Sequence, residues 1–368
     1  ALLPYPPDRY YKTRVSAEAL HRVVATFAWG EENADLFRGF PEWGDIPIYV
    51  TGNSRFDLLR PELRKFFHAE RDKLLHRHGN FILVNTNFGM LNHYVPNLIS
   101  LLPEDAGSAR KVDDFTAELS EHRYGVFTHF LQMIPVLSKK FADFTIVIRP
   151  HPSENHDVWL KIAEQHSNVR VIYEGSVLPW ILACKAMIHN GCTTAIESYV
   201  LDKPAVAYRP VTSEQFEKEL PNGVSVEAFT LDELLDSLGH AIQLGTPLKT
   251  PEREGLIRRH LEGIDGALAT DRILDAIEKL NEQVDSSWPG IKRYMRGRCR
   301  ASIRTLGKLR NAKIAGHKNN SEYQIHRFPG IQLAEVQERV LHFGELLGRF
   351  HSVKASQISK NIFQISGK

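Results

Sequence analysis

Between Phe81 and Pro210 short apolar runs alternate with longer stretches whose apolar residues recur every three or four positions. That rhythm predicts strands joined by helices in a parallel sheet. The strand runs are FILVN (81–85), FTIVIR (144–149), VRVIY (169–173), AMIHN (186–190) and AVAYR (205–209), and helical patterns fill 122–142, 156–166, 177–185 and 194–201. Such regularity implies a doubly wound α/β domain with its ligands beyond the carboxyl ends of the strands. Upstream, the pattern predicts a helix over 16–38, a strand in IPIYVTGN (46–53) that ends in a Gly-Asn turn, and one or two polar helices over 56–79. Downstream, 231–244 and 269–284 have amphipathic helical spacing, SSWPG (286–290) is a turn-rich break, and 332–350 closes the chain with a last amphipathic helix. The chain thus divides into 1–60, the end of one domain and its linker; 61–288, the main α/β domain; and 289–368, a helical extension. There is no internal repeat.

Composition narrows the class. The chain has 368 residues, of which 42% are hydrophobic, 24% charged and 10% aromatic, values of a globular protein of about two domains. No run approaches the roughly 18 apolar residues of a membrane span. Cys184, Cys192 and Cys299 match neither a disulfide framework nor a Cys-x-x-Cys metal site, which fits a reducing, cytoplasmic compartment. No charged-then-apolar leader follows Ala1, and the missing initiator Met suggests a trimmed or partial chain. The overall charge of +2 hides an asymmetry: 289–368 holds 16 Lys and Arg against four Glu, while the first 288 residues carry a net −10. From Ile291 to Lys318 there are ten basic residues and no acid. Such a block reads either as a surface for anionic lipid or nucleic acid, or as a solvated helix face. No nucleic-acid motif accompanies it, so the expected partner is an anionic membrane.

Four constellations could carry chemistry. Arg149-Pro150-His151-Pro152 follows the FTIVI run, and its prolines offer no amide hydrogens, so the polar groups there are side chains. His151 and Arg149 are placed to meet a phosphate, unless His151 only bonds a neighbouring carbonyl. In HNGCTTAIES (189–198) a glycine turn leads from strand to helix, and Thr193 and Thr194 stand where free amides and the positive helix end would meet a phosphate. Glu197, three residues after Thr194, could instead complete a capping box. The turn Glu174-Gly175-Ser176 leaves room for a planar base, or is a plain helix start. Asn85, Thr86 and Asn87, before Gly89, read equally as substrate contacts and as ordinary turn chemistry. His151 and His156 lack the further ligands of a metal site, no G-x-S-x-G elbow exists, and neither a Walker A loop nor a G-x-G-x-x-G follows a strand run. The site is therefore expected to be metal-independent and to need no cofactor.

Taken in order, the segments VTGNxRFD, NTNFG, RPHP, EGS, HNGCTTAIES and DKPAVAY resemble the GT-B glycosyltransferase superfamily, and within it the bacterial surface carbohydrate biosynthesis proteins. More distantly they are similar to Kdo transferases, bacterial sialyltransferases and the CDP-glycerol polymerases of teichoic acid synthesis. The likeness covers 46–210 well. It implies two Rossmann-like domains, of which this chain holds the donor domain and part of the acceptor-side one. It further implies that His151-Pro152 and the hydroxyls of Thr193 and Thr194, in place of the family's paired serines, grip the donor phosphate. Glu197 would contact the ribose or cap the helix, and Glu174, Gly175 and Ser176 would lie near the base. The families place an acidic base in a glycine-ended motif of the N-terminal domain, and no such motif occurs before residue 60; Glu31-Glu32-Asn33 is the nearest acidic pair. The catalytic base is thus unassigned and expected ahead of Ala1.

The resemblance implies a glycosyltransferase of surface polysaccharide synthesis, taking a sugar from a nucleotide-activated donor, with CMP as the expected carrier, to a glycan or lipid-linked acceptor. A UDP-sugar 2-epimerase shares the donor site, and a nucleotide-sugar-binding scaffold held on the membrane by its basic tail is the non-enzymatic alternative. Either enzyme is expected in the cytoplasm, on the inner face of the cytoplasmic membrane.

Overall fold

The computed structural model describes residues 6–96, 99, 113–281, 290–314, 316–328, 330–359 and 361–367. The chain forms two compact units, one of 1–92 with 100–286 and the other of 93–99 with 287–368. The SSWPG break expected at 286–290 lies, apart from Gly290, outside the described residues, as do 282–284 of the helix expected over 269–284.

The first unit opens with α1 (Pro7–Arg14), α2 (Ala17–Leu20), β1 (Thr26–Ala28), α3 (Glu31–Arg38), β2 (Ile48–Val50), α4 (Ser54–Asp57), a 3-10 turn (Arg64–Phe67) and α5 (His68–His78). The single helix expected over 16–38 is therefore replaced by helix, strand and helix. Thr26–Ala28 pairs in parallel with Ile48–Val50, and Ala28 is fully buried. A pairing partner far along the chain has overridden the local periodicity.

Next come β3 (Phe81–Asn85), α6 (Asp114–Lys140), β4 (Thr145–Arg149), α7 (Asp157–Ala163), β5 (Val169–Val171), α8 (Val177–Ala183), β6 (Ala186–His189), α9 (Thr194–Val200), β7 (Ala205–Tyr208), α10 (Glu219–Gly223), β8 (Val226–Ala228) and α11 (Leu231–Leu244). The six strands β3 to β8 form one all-parallel sheet in the order β5-β4-β3-β6-β7-β8. Counted from β3, this is the 3-2-1-4-5-6 order of a doubly wound Rossmann-type sheet, whose switch point lies between the first and fourth strands, here β3 and β6. All five residues of FILVN are buried, as a strand covered on both faces requires. Ile82 and Val84 share a core with Val126, Phe130, Met133, Ile134 and Leu137 of α6 and with Leu234 and Leu238 of α11. The alternate residues, Phe81 and Leu83, are fully buried toward the opposite face, where Phe81 packs edge-on against Trp180 of α8. Local rules set helix ends: Thr230 Oγ1 accepts the Glu233 N–H at the start of α11, and Gly245 (φ 69°) ends it in the left-handed region.

The unit closes with α12 (Pro251–His260) and α13 (Ala269–Asn281), which return to the N-terminal elements. The Glu262 N–H donates to the Trp29 carbonyl at 2.6 Å, and Arg60 donates to the Gly266 carbonyl at 2.8 Å. The approach is close enough that a Cβ on Gly52 (φ 86°) would sit 2.1 Å from the Glu262 carbonyl oxygen. Buried Asp57 caps α13 from across the fold, accepting the N–H groups of Ala269 (2.8 Å) and Thr270 (2.9 Å) and the Thr270 hydroxyl (2.7 Å). Asp57→Ala is expected to cost about 2 kcal/mol, the upper end for loss of an N-cap, and to show as a lower urea midpoint with an unchanged slope.

The second unit holds α14 (Ile291–Asn311), α15 (Ser321–Arg327), α16 (Leu333–Leu347) and the antiparallel pair β9 (Lys354–Ser359) and β10 (Ile362–Ser366). The sequence reading did not contain the hairpin, whose residues are exposed except for buried Ala355 and half-buried Phe363 and so lack the alternation that marks a half-buried strand. Within this unit Tyr323 is buried, its hydroxyl 3.2 Å from His93 Nε2. No residue of α14 is buried. Its residues Ile291, Met295, Cys299, Ile303, Leu306 and Leu309 fall on one side, where Lys292 and Arg310 also lie, and Arg293, Arg296, Arg300, Arg304 and Lys308 on the other. Among the described residues no helix is long and apolar enough to cross a membrane.

Candidate functional site

At the carboxyl edge of the sheet Asn85 lies in register with Arg149 on one side and His189 on the other. The three strands therefore deliver the NTNFG, RPHP and HNGCTT loops side by side, around the switch point.

The first two loops are fastened together by a residue absent from the sequence reading. Glu154 is fully buried, and its Oε1 accepts the Thr86 hydroxyl (2.8 Å), the Phe88 N–H (2.9 Å) and the His151 N–H (3.1 Å). Its Oε2 accepts the Trp159 indole N–H at 3.1 Å. Burial pushes this carboxyl above the usual range and the four donors pull it back. Gly89 completes the junction, since a Cβ there would stand 2.1 Å from Ser153 Oγ. His151 Nδ1 accepts the Ser153 N–H at 3.2 Å and lies 2.8 Å from its hydroxyl, which assigns the proton of the neutral ring to Nε2. Thr86 is spent on Glu154, and Asn85 Nδ2 meets the Met187 sulfur at 3.2 Å. Asn87 is partly buried and bonds to nothing among the described residues.

Arg149 has a structural role in place of the phosphate contact expected of it. Buried, with its pKa drawn down to about 10 by desolvation, it donates to the carbonyls of Glu174 (2.8 Å) and Gly175 (2.6 Å). Both ends of its guanidinium fork are thus committed to the 174–176 turn. Trp180 Nε1 also donates to the Glu174 carbonyl, and Ser176 Oγ accepts the Leu178 N–H at 3.4 Å as N-cap of α8. The Glu174 side chain is paired with Arg77 at 2.7 Å. Gly175 has φ 59°, and no atom lies within 4 Å of where its Cβ would be, so the surface above this turn is open.

In the third loop His189 is fully buried, and desolvation pushes its pKa down to about 3. Its Nδ1 accepts the Gly191 N–H (3.0 Å), and its Nε2–H points to Ser225 Oγ (2.8 Å), which itself donates to the Pro221 carbonyl. This neutral histidine fixes the HNG turn. The threonines do not cap α9: Thr193 makes no side-chain cap bond, and Thr194 Oγ1 lies 2.6 Å from Cys192 Sγ. Nor does Glu197 close a capping box. Its Oε1 pairs with Arg55 at 2.5 Å, while its Oε2 is buried with no partner among the described residues. Burial raises the Glu197 pKa to about 7 against the pull of Arg55. Arg55 belongs to the VTGNxRFD segment, and only its motif membership marked it in the sequence.

The acidic pair at the front is also structural: Glu32 is bound to His260, which holds its pKa below the usual range, and Glu31 pairs with Arg38 at 3.2 Å. Among the described residues no three or more His, Cys, Asp or Glu side chains converge as a metal site would need.

No family model and no curated protein matches the chain. Solved structures do. The UDP-GlcNAc 2-epimerase of Methanocaldococcus jannaschii, in complex with UDP-GlcNAc and UDP, is 13% identical over 70% of this chain and 62% of its own, with a TM-score of 0.41. The wall teichoic acid polymerase TagF, as an H444N variant with CDPG, is 14% identical over 77% of this chain and 64% of its own (TM-score 0.45). The UDP-GlcNAc 2-epimerase of Neisseria meningitidis bound to UDP-GlcNAc is 16% identical over 75% and 67% (TM-score 0.43). The chain spans less than two thirds of the length of the first two.

Proposed function

We propose that the chain is the donor-binding part of a metal-independent glycosyltransferase of bacterial surface polysaccharide synthesis. It takes a sugar from a nucleotide-activated, preferentially cytidine-activated, donor and passes it to a glycan or lipid-linked acceptor. The observation that carries the reading is the junction at the switch point, where Glu154 and Gly89 hold His151 beside the β3 loop, with the β6 loop on the next strand. Ligands of doubly wound sheets bind there. In this reading the Nε2–H of His151 donates to the leaving phosphate as charge builds on it, and the Thr193 and Thr194 hydroxyls, uncommitted to capping, meet the same oxygens. The open face above Gly175 receives the base, on a turn that Arg149 keeps rigid. The unpartnered Oε2 of Glu197 accepts from a ribose hydroxyl. Activity of the whole assembly needs a general base that these residues do not supply.

The test is incubation of the protein with radiolabelled CMP- and UDP-sugars and an acceptor extract. Release of nucleotide together with sugar transfer supports the reading; change of sugar configuration without transfer would make the chain an epimerase, and binding without turnover a scaffold. By calorimetry, His151→Ala and the double change Thr193→Ala with Thr194→Ala are each expected to weaken CMP binding about 10- to 100-fold, since a charge-assisted hydrogen bond contributes about 1.5–3 kcal/mol. Unchanged affinity in both, or binding of UDP but not CMP, overturns the assignment.

The proposal places the protein on the inner membrane face through 291–318. What supports it is α14, exposed along its length, with its apolar side chains gathered on one side and five of its eight basic residues on the other, as in interfacial helices. Each basic residue near an anionic surface contributes up to about 1 kcal/mol, so half of those present suffice for reversible binding. The protein is expected to sediment with anionic vesicles at low salt, to be released at high salt and to ignore neutral vesicles. Deletion of 291–318 without loss of vesicle binding would remove the helix from this role.

A further inference from the structure

At the opposite end of the sheet from the candidate site, by the amino ends of β7 and β8, lies an apolar cavity of about 290 Å³. Pro204 and Ala205 at the start of β7, Val224 and Val226 at the start of β8, Ala241 of α11 and Pro247 of the loop after it supply the wall. A dry apolar cavity of about 150 Å³ takes one benzene, so this one has room for an apolar body of roughly ten heavy atoms. Leu244 and Leu248 line it too and are 66% and 54% exposed, so the apolar lining runs out to the surface. An apolar patch that continues into a cavity marks a place where a ligand settles, as single scattered leucines do not.

The lining carries one permanent charge, that of Arg253 on α12. Among the described residues no acid lines the cavity and none pairs with this guanidinium. Its Nη1 donates to the Leu248 carbonyl at 2.8 Å and its Nη2 to the Ser225 carbonyl at 2.6 Å. Two of the five N–H groups thus hold the planar fork in place, and three are left over. The fork has already lost the freedom that a mobile surface arginine gives up on binding. Carbonyl oxygens are neutral, so the positive charge stands uncompensated beside an apolar wall. A carboxylate is the group that meets it with the strongest hydrogen bonds.

We propose that this cavity binds a small free carboxylic acid with an apolar body of about six to ten carbons, its carboxylate on Arg253 and its body against α11 and the starts of β7 and β8. Neither half suffices alone. An uncharged apolar molecule would strip water from the guanidinium and give it no partner, and a short acid would leave the apolar wall wet. The cavity lies within the first unit and uses none of the residues assigned to the nucleotide, so the inference stands without that assignment.

The experiment is calorimetric titration of the full chain with octanoate, and separately with octanol and with acetate, without nucleotide and at constant ionic strength. Wild type is expected to saturate at one site with octanoate, to bind octanol at least tenfold more weakly and to ignore acetate at the same concentrations. Arg253→Gln should weaken octanoate binding at least tenfold, and Leu244→Asp, which sets a like charge at the exposed rim, at least threefold. Lys292→Gln with Lys308→Gln should leave it unchanged; that double variant is the control because α14 offers an amphiphilic anion a rival surface. Melting curves confirm the fold of each variant, and if Arg253→Gln is lost, Leu244→Asp decides. The proposal is overturned by no saturable octanoate binding to wild type at millimolar concentration, by octanol binding as tightly as octanoate, by equal affinity in wild type and the folded Arg253 and Leu244 variants, or by loss in the α14 variant alone. Absence of CMP binding on the same samples would overturn the donor reading and leave this one standing.

Discussion

Glu154→Ala is expected to destabilise the first unit by about 3–5 kcal/mol and to loosen the His151 loop. The carboxylate takes four donors in a site with no water access. Without it the Thr86 hydroxyl, two backbone N–H groups and an indole N–H are left buried, at roughly 1–3 kcal/mol for each unmet group before neighbours relax. Three of these bonds go to one oxygen. Glu154→Gln, with its amide oxygen in that place, keeps them and loses only the Trp159 bond, so it should cost about 1–2 kcal/mol. Chemical denaturation of both variants reads the difference. Equal loss in the two, or an alanine variant within about 1 kcal/mol of wild type, would mean that the junction is held by packing and not by this carboxylate.

Glu197 makes the second large effect, and its sign is opposite. Its folded pKa of about 7 lies above the ordinary value of 4.5, so its share of stability is fully present below pH 4.5 and is lost as pH rises through 7. The shift corresponds to about 3 kcal/mol. Glu197→Gln imitates the protonated acid at every pH. Wild-type stability minus that of the variant, from urea unfolding, should therefore fall between pH 5 and pH 8 by about that amount and then level off. A difference independent of pH would show that Arg55 at 2.5 Å keeps the carboxylate ionised throughout. Subtracting the variant removes the histidines, His189 among them, that titrate in both proteins.

What the sequence made legible was what its neighbours decide. Leu231–Leu244 begins and ends where the pattern put it, because Thr230 and Gly245 act within one turn of the helix. The buried strands of the sheet were legible for a similar reason: a run such as FILVN has no exposed face to suit. Thr26–Ala28 was read as helix because its strand pairing depends on residues 48–50. Val226–Ala228 was missed because three residues carry no period. In the site, the loops were found and the roles of their side chains were not. Thr194 and Glu197 have the spacing of a capping box, but Arg55, remote in sequence, takes the carboxylate. Arg149 looked like a phosphate ligand until the carbonyls of another loop accounted for it. Glu154 stood in a Pro-Ser-Glu-Asn stretch that reads as a turn, and only its four donors, drawn from three different segments, reveal its place.

The return of α13 to Asp57 sets a timetable for the growing chain. The two are 212 residues apart. At about 5–20 residues per second, a ribosome that has just made Asp57 needs roughly 10–40 s to supply the amides it caps. Until then β1 and β2 form only a two-stranded pair, marginal on its own in water. Residues 26–60 are therefore translated well before they can settle. A nascent chain stalled before residue 262 should leave them open to protease while the strands of the main sheet are already protected.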